Sequence, residues 1–122
     1  MRYSFIVAMA CAALPGVARA QDAGDAAAGE KAFAVCKSCH AFGKNGVGPN
    51  LTGVVGRKAG TLEGYTYSAA LKGSGITWDE ANLHEWLKNP KAKVAGTKMI
   101  FAGWSDDKKI ADTIAYLKTK QQ

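Results

Sequence analysis

The sequence predicts an all-α chain in which short helices are joined by long irregular loops. Three observations point there. Good helix caps stand ahead of several apolar stretches with helical spacing, no alternating apolar run is worth calling a strand, and glycine-rich segments too long for simple turns separate the helices. With 122 residues and no internal repeats, the chain has room for one domain with one core.

The first twenty residues stand apart. Arg2 supplies a short positive start, Phe5 to Leu14 is an apolar run of ten, Pro15-Gly16 breaks it, and Ala18-Arg19-Ala20 is a small-x-small cleavage site before Gln21. A bilayer needs about twenty apolar residues, so a cleaved secretory signal is expected over residues 1–20 rather than a membrane anchor. Cys11 lies inside the apolar run, and Ala8 stands where a lipoprotein signal wants a leucine-like residue. The expected mature domain is therefore residues 21–122. Loss of two arginines and no acids lowers the formal charge from +6 to +4, and the only cysteines kept are Cys36 and Cys39.

Asp25 is the expected N-cap of a first helix over Ala26 to Val35, with Phe33 its one large apolar residue. Gly29 costs that helix stability and makes sense if a second helix approaches its backbone closely. Cys36-Lys37-Ser38-Cys39-His40 follows. Two thiols three residues apart and an adjoining imidazole match the attachment signature of a c-type haem. The thiols add across the two vinyl groups of the porphyrin, and the histidine is held on one face of the ring, where it can donate to iron. A zinc site would bring a second ligand pair, and only His84 remains; a thioredoxin-like pair would need strand–helix alternation. Export of a small chain without a disulfide is consistent with a covalent haem as the body around which the core forms.

Residues 43–60 hold six glycines and Pro49 and read as an extended loop. Such a loop suits the wrapping of a flat ligand, with Leu51, Val54 and Val55 facing the ring. Tyr65 to Leu71 is expected to form a short helical turn ended by Gly73. Thr77-Trp78-Asp79-Glu80 reads as a capping box opening a helix with Leu83, Trp86 and Leu87 on one face, stopped by Asn89-Pro90. Lys91 to Gly103 is a second irregular stretch. Ser105 is the expected cap of a last helix, with Asp106 and Asp107 in its first turn and Ile110, Thr113, Ile114 and Leu117 as the buried stripe beside Tyr116.

With His40 on one side of an iron, a sixth ligand is needed. Met1 and Met9 leave with the signal. His84 falls on the helix face away from Leu83 and Leu87, as a solvated histidine would. Met99 sits on a non-helical segment between Gly96 and Gly103, from which a thioether can be aimed inward; its plainer role is to fill a gap in the core.

Collectively, Gly48-Pro49-Asn50-Leu51, Gly56-Arg57-Lys58, Tyr65-Thr66-Tyr67, Gly75-Ile76-Thr77-Trp78, Asn89-Pro90-Lys91, Gly96 to Gly103 and Ile114-Ala115-Tyr116-Leu117 make the chain resemble a class I cytochrome c, close to the mitochondrial and bacterial c2 type. The resemblance implies the cytochrome c fold, three main helices plus short ones and long loops around one haem c. It implies thioethers at Cys36 and Cys39 and axial ligands His40 and Met99, which fill both iron positions. The Pro49 carbonyl would accept a bond from the His40 ring. Arg57, Tyr67 and Trp78 would hold the propionates, Thr97 would bond near Met99, Phe101 would cover the haem edge, and Gly29 and Phe33 would cross the last helix near Tyr116. Three departures stand out. Leu71 and Trp86 occupy places where the family often has asparagine and tyrosine, which implies a drier distal side and a shifted potential. The loop between His40 and Gly48 is short, and Val35 replaces a common lysine beside the first cysteine.

The expected function is a monomeric periplasmic one-electron carrier cycling Fe(III)/Fe(II), not an enzyme, with no nucleic-acid partner and no stable membrane insertion. A haem peroxidase or gas sensor is the alternative, and it would need an open axial site. Lysines near the haem-bearing segments (Lys37, Lys44, Lys58, Lys91, Lys93, Lys98) suggest steering toward acidic docking surfaces on a bc1-type complex, a terminal oxidase, a reaction centre or a periplasmic dehydrogenase. A charge of +4 without a recognition module does not suggest nucleic acid.

Overall fold

In the computed structural model, residues 24–122 are described. The expected signal segment, its cleavage point and Cys11 lie outside the described residues. Helix α1 runs over Ala26–Ala32, and the Asp25 side chain caps it by accepting from the Ala27 N–H at 2.9 Å. The last turn expected of this helix is instead a tighter 3₁₀ turn, Phe33–Cys36. The change has a packing reason: three residues per turn set Phe33 and Cys36 on the same side, and both line the central cavity. Cys36 then accepts from the His40 N–H at 2.8 Å, so the turn leads straight into the ligand-bearing residues.

The other elements are short helices: α2, Ala69–Lys72; α3, Glu80–Lys88; α4, Pro90–Lys93; and α5, Asp107–Lys118. Among the described residues there are no strands, only an isolated antiparallel bridge between Lys58 and Thr77. That bridge shifts the start of α3. The Trp78 N–H donates to the Arg57 carbonyl and the Gly56 N–H to the Trp78 carbonyl, so the chain stays extended past Thr77. Asp79 is the N-cap, accepting from the Asn82 N–H at 2.8 Å. Glu80 pairs with Lys118 on α5 instead of reaching back to close a capping box.

Two other expected starts move for similar reasons. Tyr65 and Tyr67 stack edge-on, and Tyr65 is tied to the loop at Val47, so helical geometry begins only at Ala69 after Ser68 caps the turn. Asp106, not Ser105, caps α5, because its carboxylate accepts from both the Lys108 and Lys109 N–H groups. Part of the segment expected to be irregular after Asn89 is helical. Asn89 caps α4 through the Ala92 N–H, and Pro90 sits at the first helical position, where its missing N–H costs nothing.

α1 crosses α5 at Gly29, where a Cβ would overlap the Asp112 carbonyl. Phe33 packs there against Tyr116 and Phe42, with ring centroids 5.4 and 5.2 Å away. Ile110, Ile114 and Leu117 of α5 and Leu83, Trp86 and Leu87 of α3 complete the core. Asp112 is buried in the same crossing. Its carboxylate accepts from the Asp25 N–H at 2.7 Å and from Lys108 Nζ at 2.8 Å.

Candidate functional site

The helices enclose a cavity of about 450 Å³ with mainly apolar walls. Its volume is in the range of small-molecule and cofactor sites. Cys36, Cys39, His40, Pro49, Arg57, Tyr67, Trp78, Thr97, Met99 and Phe101 all line it. Residues spread over more than sixty positions of sequence are thus gathered at one site. Leu51 and Val54 also face inward, but Val55 does not; it packs on the core while its carbonyl accepts from Gln121.

His40 is positioned by the turn before it and by the loop after it. Its Nδ1 lies 2.9 Å from the Pro49 carbonyl, so Nδ1–H is the donor and Nε2 keeps its lone pair. Burial pushes the imidazole below its ordinary pKa against the opposing effect of that hydrogen bond, with Arg57 adding to the fall. A neutral imidazole with a free lone pair is what a metal ligand requires. Gly48 lies against this ring; a Cβ there would overlap it. Cys36 is a half-buried free thiol, held protonated by burial and by Cys39, which is exposed.

Arg57 is partly buried, and burial lowers its pKa. Among the described ion pairs no carboxylate meets it; its only bond is from Nη1 to the Thr52 carbonyl at 3.3 Å. With Tyr67 and Trp78 on the same cavity it offers a cationic and hydrogen-bonding end to an otherwise apolar site. The loop after α4 carries Met99, whose N–H donates to Thr97 Oγ1 at 3.2 Å. Leu71 and the tilted pair Trp78 and Trp86, 5.2 Å between centroids, line the cavity as well. His84 does not line it. Its Nε2 sits 3.2 Å from Asp107 Oδ1 at the contact of α3 with α5.

Comparison with known proteins gives this arrangement its context. The Cytochrome c family model matches residues 26–121. The chain belongs to the cytochrome c family. It is 55% identical over 97 residues to cytochrome c2 of Blastochloris viridis, covering 77% of this chain and 76% of that protein. To cytochrome c2 of Rhodomicrobium vannielii it is 51% identical over 117 residues, 93% of this chain and 94% of the relative. Cytochrome cH from Methylobacterium extorquens shares its fold at a TM-score of 0.78 and 68% identity, over 80% of this chain and all of that one. Family membership means one covalently attached c-type haem and a class I electron carrier. The residues present fit the group: paired thiols beside a neutral imidazole, a glycine against that imidazole, apolar walls, and an arginine that meets no carboxylate among the described residues.

Several lining residues of this cytochrome carried no assigned role in the sequence. Tyr65 donates its hydroxyl to the Val47 carbonyl at 2.8 Å and ties two loops across the cavity rim. Its signal was a tyrosine pair in a stretch without periodicity. Val35, Val47 and Ile100 line the mouth while remaining exposed, and local pattern cannot distinguish such residues from ordinary loop valines. Outside the cavity lining, Trp104 stacks edge-on against Phe101 at 5.2 Å, with Lys109 Nζ 4.8 Å from its ring centroid.

Proposed function

We propose that residues 1–20 export this chain to the periplasm, where residues 21–122 form a single domain that carries one electron at a time between redox partners. Cys36 and Cys39 hold the haem through thioethers, and His40 and Met99 are its axial ligands. When bound, the haem supplies a one-electron Fe(III)/Fe(II) couple. The chain's own residues fix its surroundings. The Pro49 carbonyl orients His40 and raises its basicity, Arg57, Tyr67 and Trp78 meet the propionates, Thr97 holds the Met99 backbone, and Phe101 closes the edge. The apolar walls formed by Leu51, Val54, Leu71 and Leu87 exclude water.

One observation carries this reading: Met99 shares a cavity with His40, whereas His84 is engaged by Asp107 outside it. With a thioether available for the second axial position, no place is left for substrate or gas, and the protein acts as a carrier rather than as an enzyme. No helix among the described residues is long and apolar enough to cross a membrane. The protein works as a monomer without nucleic acid, and its partners are redox proteins with acidic docking surfaces: a bc1-type complex, a terminal oxidase, a reaction centre or a periplasmic dehydrogenase.

Optical spectra of the holoprotein in both redox states provide the test. A ferric sulfur-to-iron band and a ferrous form that ignores carbon monoxide are expected. Ready carbon monoxide binding by the native reduced protein would overturn the reading in favour of a peroxidase or gas sensor.

A further inference from the structure

One lysine fastens the segment that carries Met99 to the rest of the fold. Lys93, the last residue of α4, sends its Nζ to Asn82 Oδ1 at 2.8 Å and to the carboxylate of Glu85. Both partners lie on α3. In the other lysine–carboxylate pairs among the described residues the lysine side chain is 49–74% exposed, whereas that of Lys93 is 19% exposed. Exposed pairs contribute little, because water competes for both charges. A cation drawn under the surface and met by two acceptors is harder to release. One of those acceptors is itself held: Asn82 Nδ2 donates to the Thr77 carbonyl at 2.9 Å, which turns the amide oxygen towards Lys93. Thr77 in turn is bridged to Lys58, next to Arg57.

Little else of a polar kind holds this segment. Among the described residues, only Lys93 and Lys98 of residues 90–103 hydrogen-bond through their side chains to another part of the fold, and Lys98 reaches the Thr66 carbonyl only at 3.5 Å. The bonds nearest Met99 are internal to the segment: Thr97 N–H to the Val94 carbonyl, and Met99 N–H to Thr97 Oγ1, both at 3.2 Å. Pro90 and Val94 pack in the core, but apolar contact is non-directional and does not fix how α4 lies on α3.

We infer that Lys93 is a positioning residue for Met99: its bonds to Asn82 and Glu85 latch α4 onto α3 and so keep the loop beyond α4 closed over the cavity. This rests on the reading of Met99 as an axial ligand and adds what keeps it in place. A segment opens locally at the cost of the contacts it gives up, and without Lys93 the long Lys98 contact is the only such tie left.

Cyanide is the probe, because it can reach the iron of the ferric holoprotein only after Met99 leaves. Lys93→Met keeps the reach of the side chain and removes its charge. It is expected to bind cyanide about tenfold faster than wild type, as loss of a charged hydrogen bond implies, with the sulfur-to-iron band still present before cyanide is added. Glu85→Gln alters a side chain that is 61% exposed, so folding is spared, and about threefold acceleration is expected. Lys93→Arg keeps the cation and should bind at close to the wild-type rate. Glu80→Gln breaks the Lys118 pair between α3 and α5 and should leave the rate unchanged. Wild-type rates in both Lys93→Met and Glu85→Gln overturn the latch. Acceleration in Glu80→Gln equal to that in Glu85→Gln also overturns it, since the loosening would then be general. A wild-type ferric protein without the sulfur-to-iron band overturns the Met99 reading itself, and the latch with it.

Discussion

The His40 imidazole and Gly48 are in direct contact: the ring bonded to the Pro49 carbonyl leaves no room for a side chain on the glycine before it. A Gly48→Ala variant must push the ring or the loop aside. Overpacking of this kind costs about 1–3 kcal/mol. A lower denaturant midpoint for the holoprotein and a shifted redox potential are expected together, since the displaced ring loses its Pro49 bond. An unchanged denaturation curve would count against the contact.

Leu71 puts an alkyl group into the cavity wall. Leu71→Asn introduces a polar group that favours the more highly charged ferric state. The midpoint potential is therefore expected to fall, on the order of tens of millivolts, 59 mV being tenfold in a one-electron equilibrium. Voltammetry of the two proteins side by side checks this, and equal potentials would sink the idea.

Gly29→Ala sets two effects against each other. Helix propensity alone would stabilise α1 by about 1 kcal/mol. The new Cβ, however, meets the backbone of Asp112 and Thr113 on α5, which cannot rotate away as a flexible side chain would. The crossing should win, with a net loss of about 1–2 kcal/mol seen as a lower urea midpoint. A neutral or stabilised variant would show that the helices can separate without penalty.

Asp112 links stability to pH. The hydrogen bond from Lys108, followed by that from the Asp25 N–H, holds its carboxyl below the ordinary carboxylate value. The stabilisation is therefore whole above the unfolded value of about 3.9 and is lost as pH falls through the lower folded value. Asp112→Asn keeps an oxygen for the Asp25 N–H but removes the charge. Its melting temperature should lie below wild type at neutral pH, with the gap narrowing as the medium is acidified below pH 4. A gap constant with pH would mean that the charge contributes nothing.

Much of this was legible because the deciding signals are local. Cys36 to His40 is a contiguous motif, and Leu83, Trp86 and Leu87 mark a helix face by spacing alone. Gly29 announced a helix crossing by being a poor helix residue in a good helix. The failures came where a distant contact overrides a local preference. Thr77 has the right neighbours for a cap, yet Lys58 holds it extended. Ser105 gives way to Asp106 because a carboxylate can accept from two N–H groups at once. Val55 looked equivalent to Val54, and only the bond from Gln121 at the far end of the chain shows which way that backbone faces. The exposure of Val35, Val47 and Ile100 was invisible for the same reason, since it depends on what the rest of the chain does not cover.

The segment bearing Met99 leaves and returns at almost the same point. It departs from α3 at Asn89, and Gly103 comes back against the Lys88 carbonyl so closely that only a glycine fits; the Trp104 N–H then donates to the Leu87 carbonyl at 2.9 Å. Residues 90–102 are therefore closed at their base and fastened along their length, with Pro90 and Val94 buried in the core and Thr97, Met99 and Phe101 carried to the cavity wall, so a change at the Gly103 exit would be felt at the ligand.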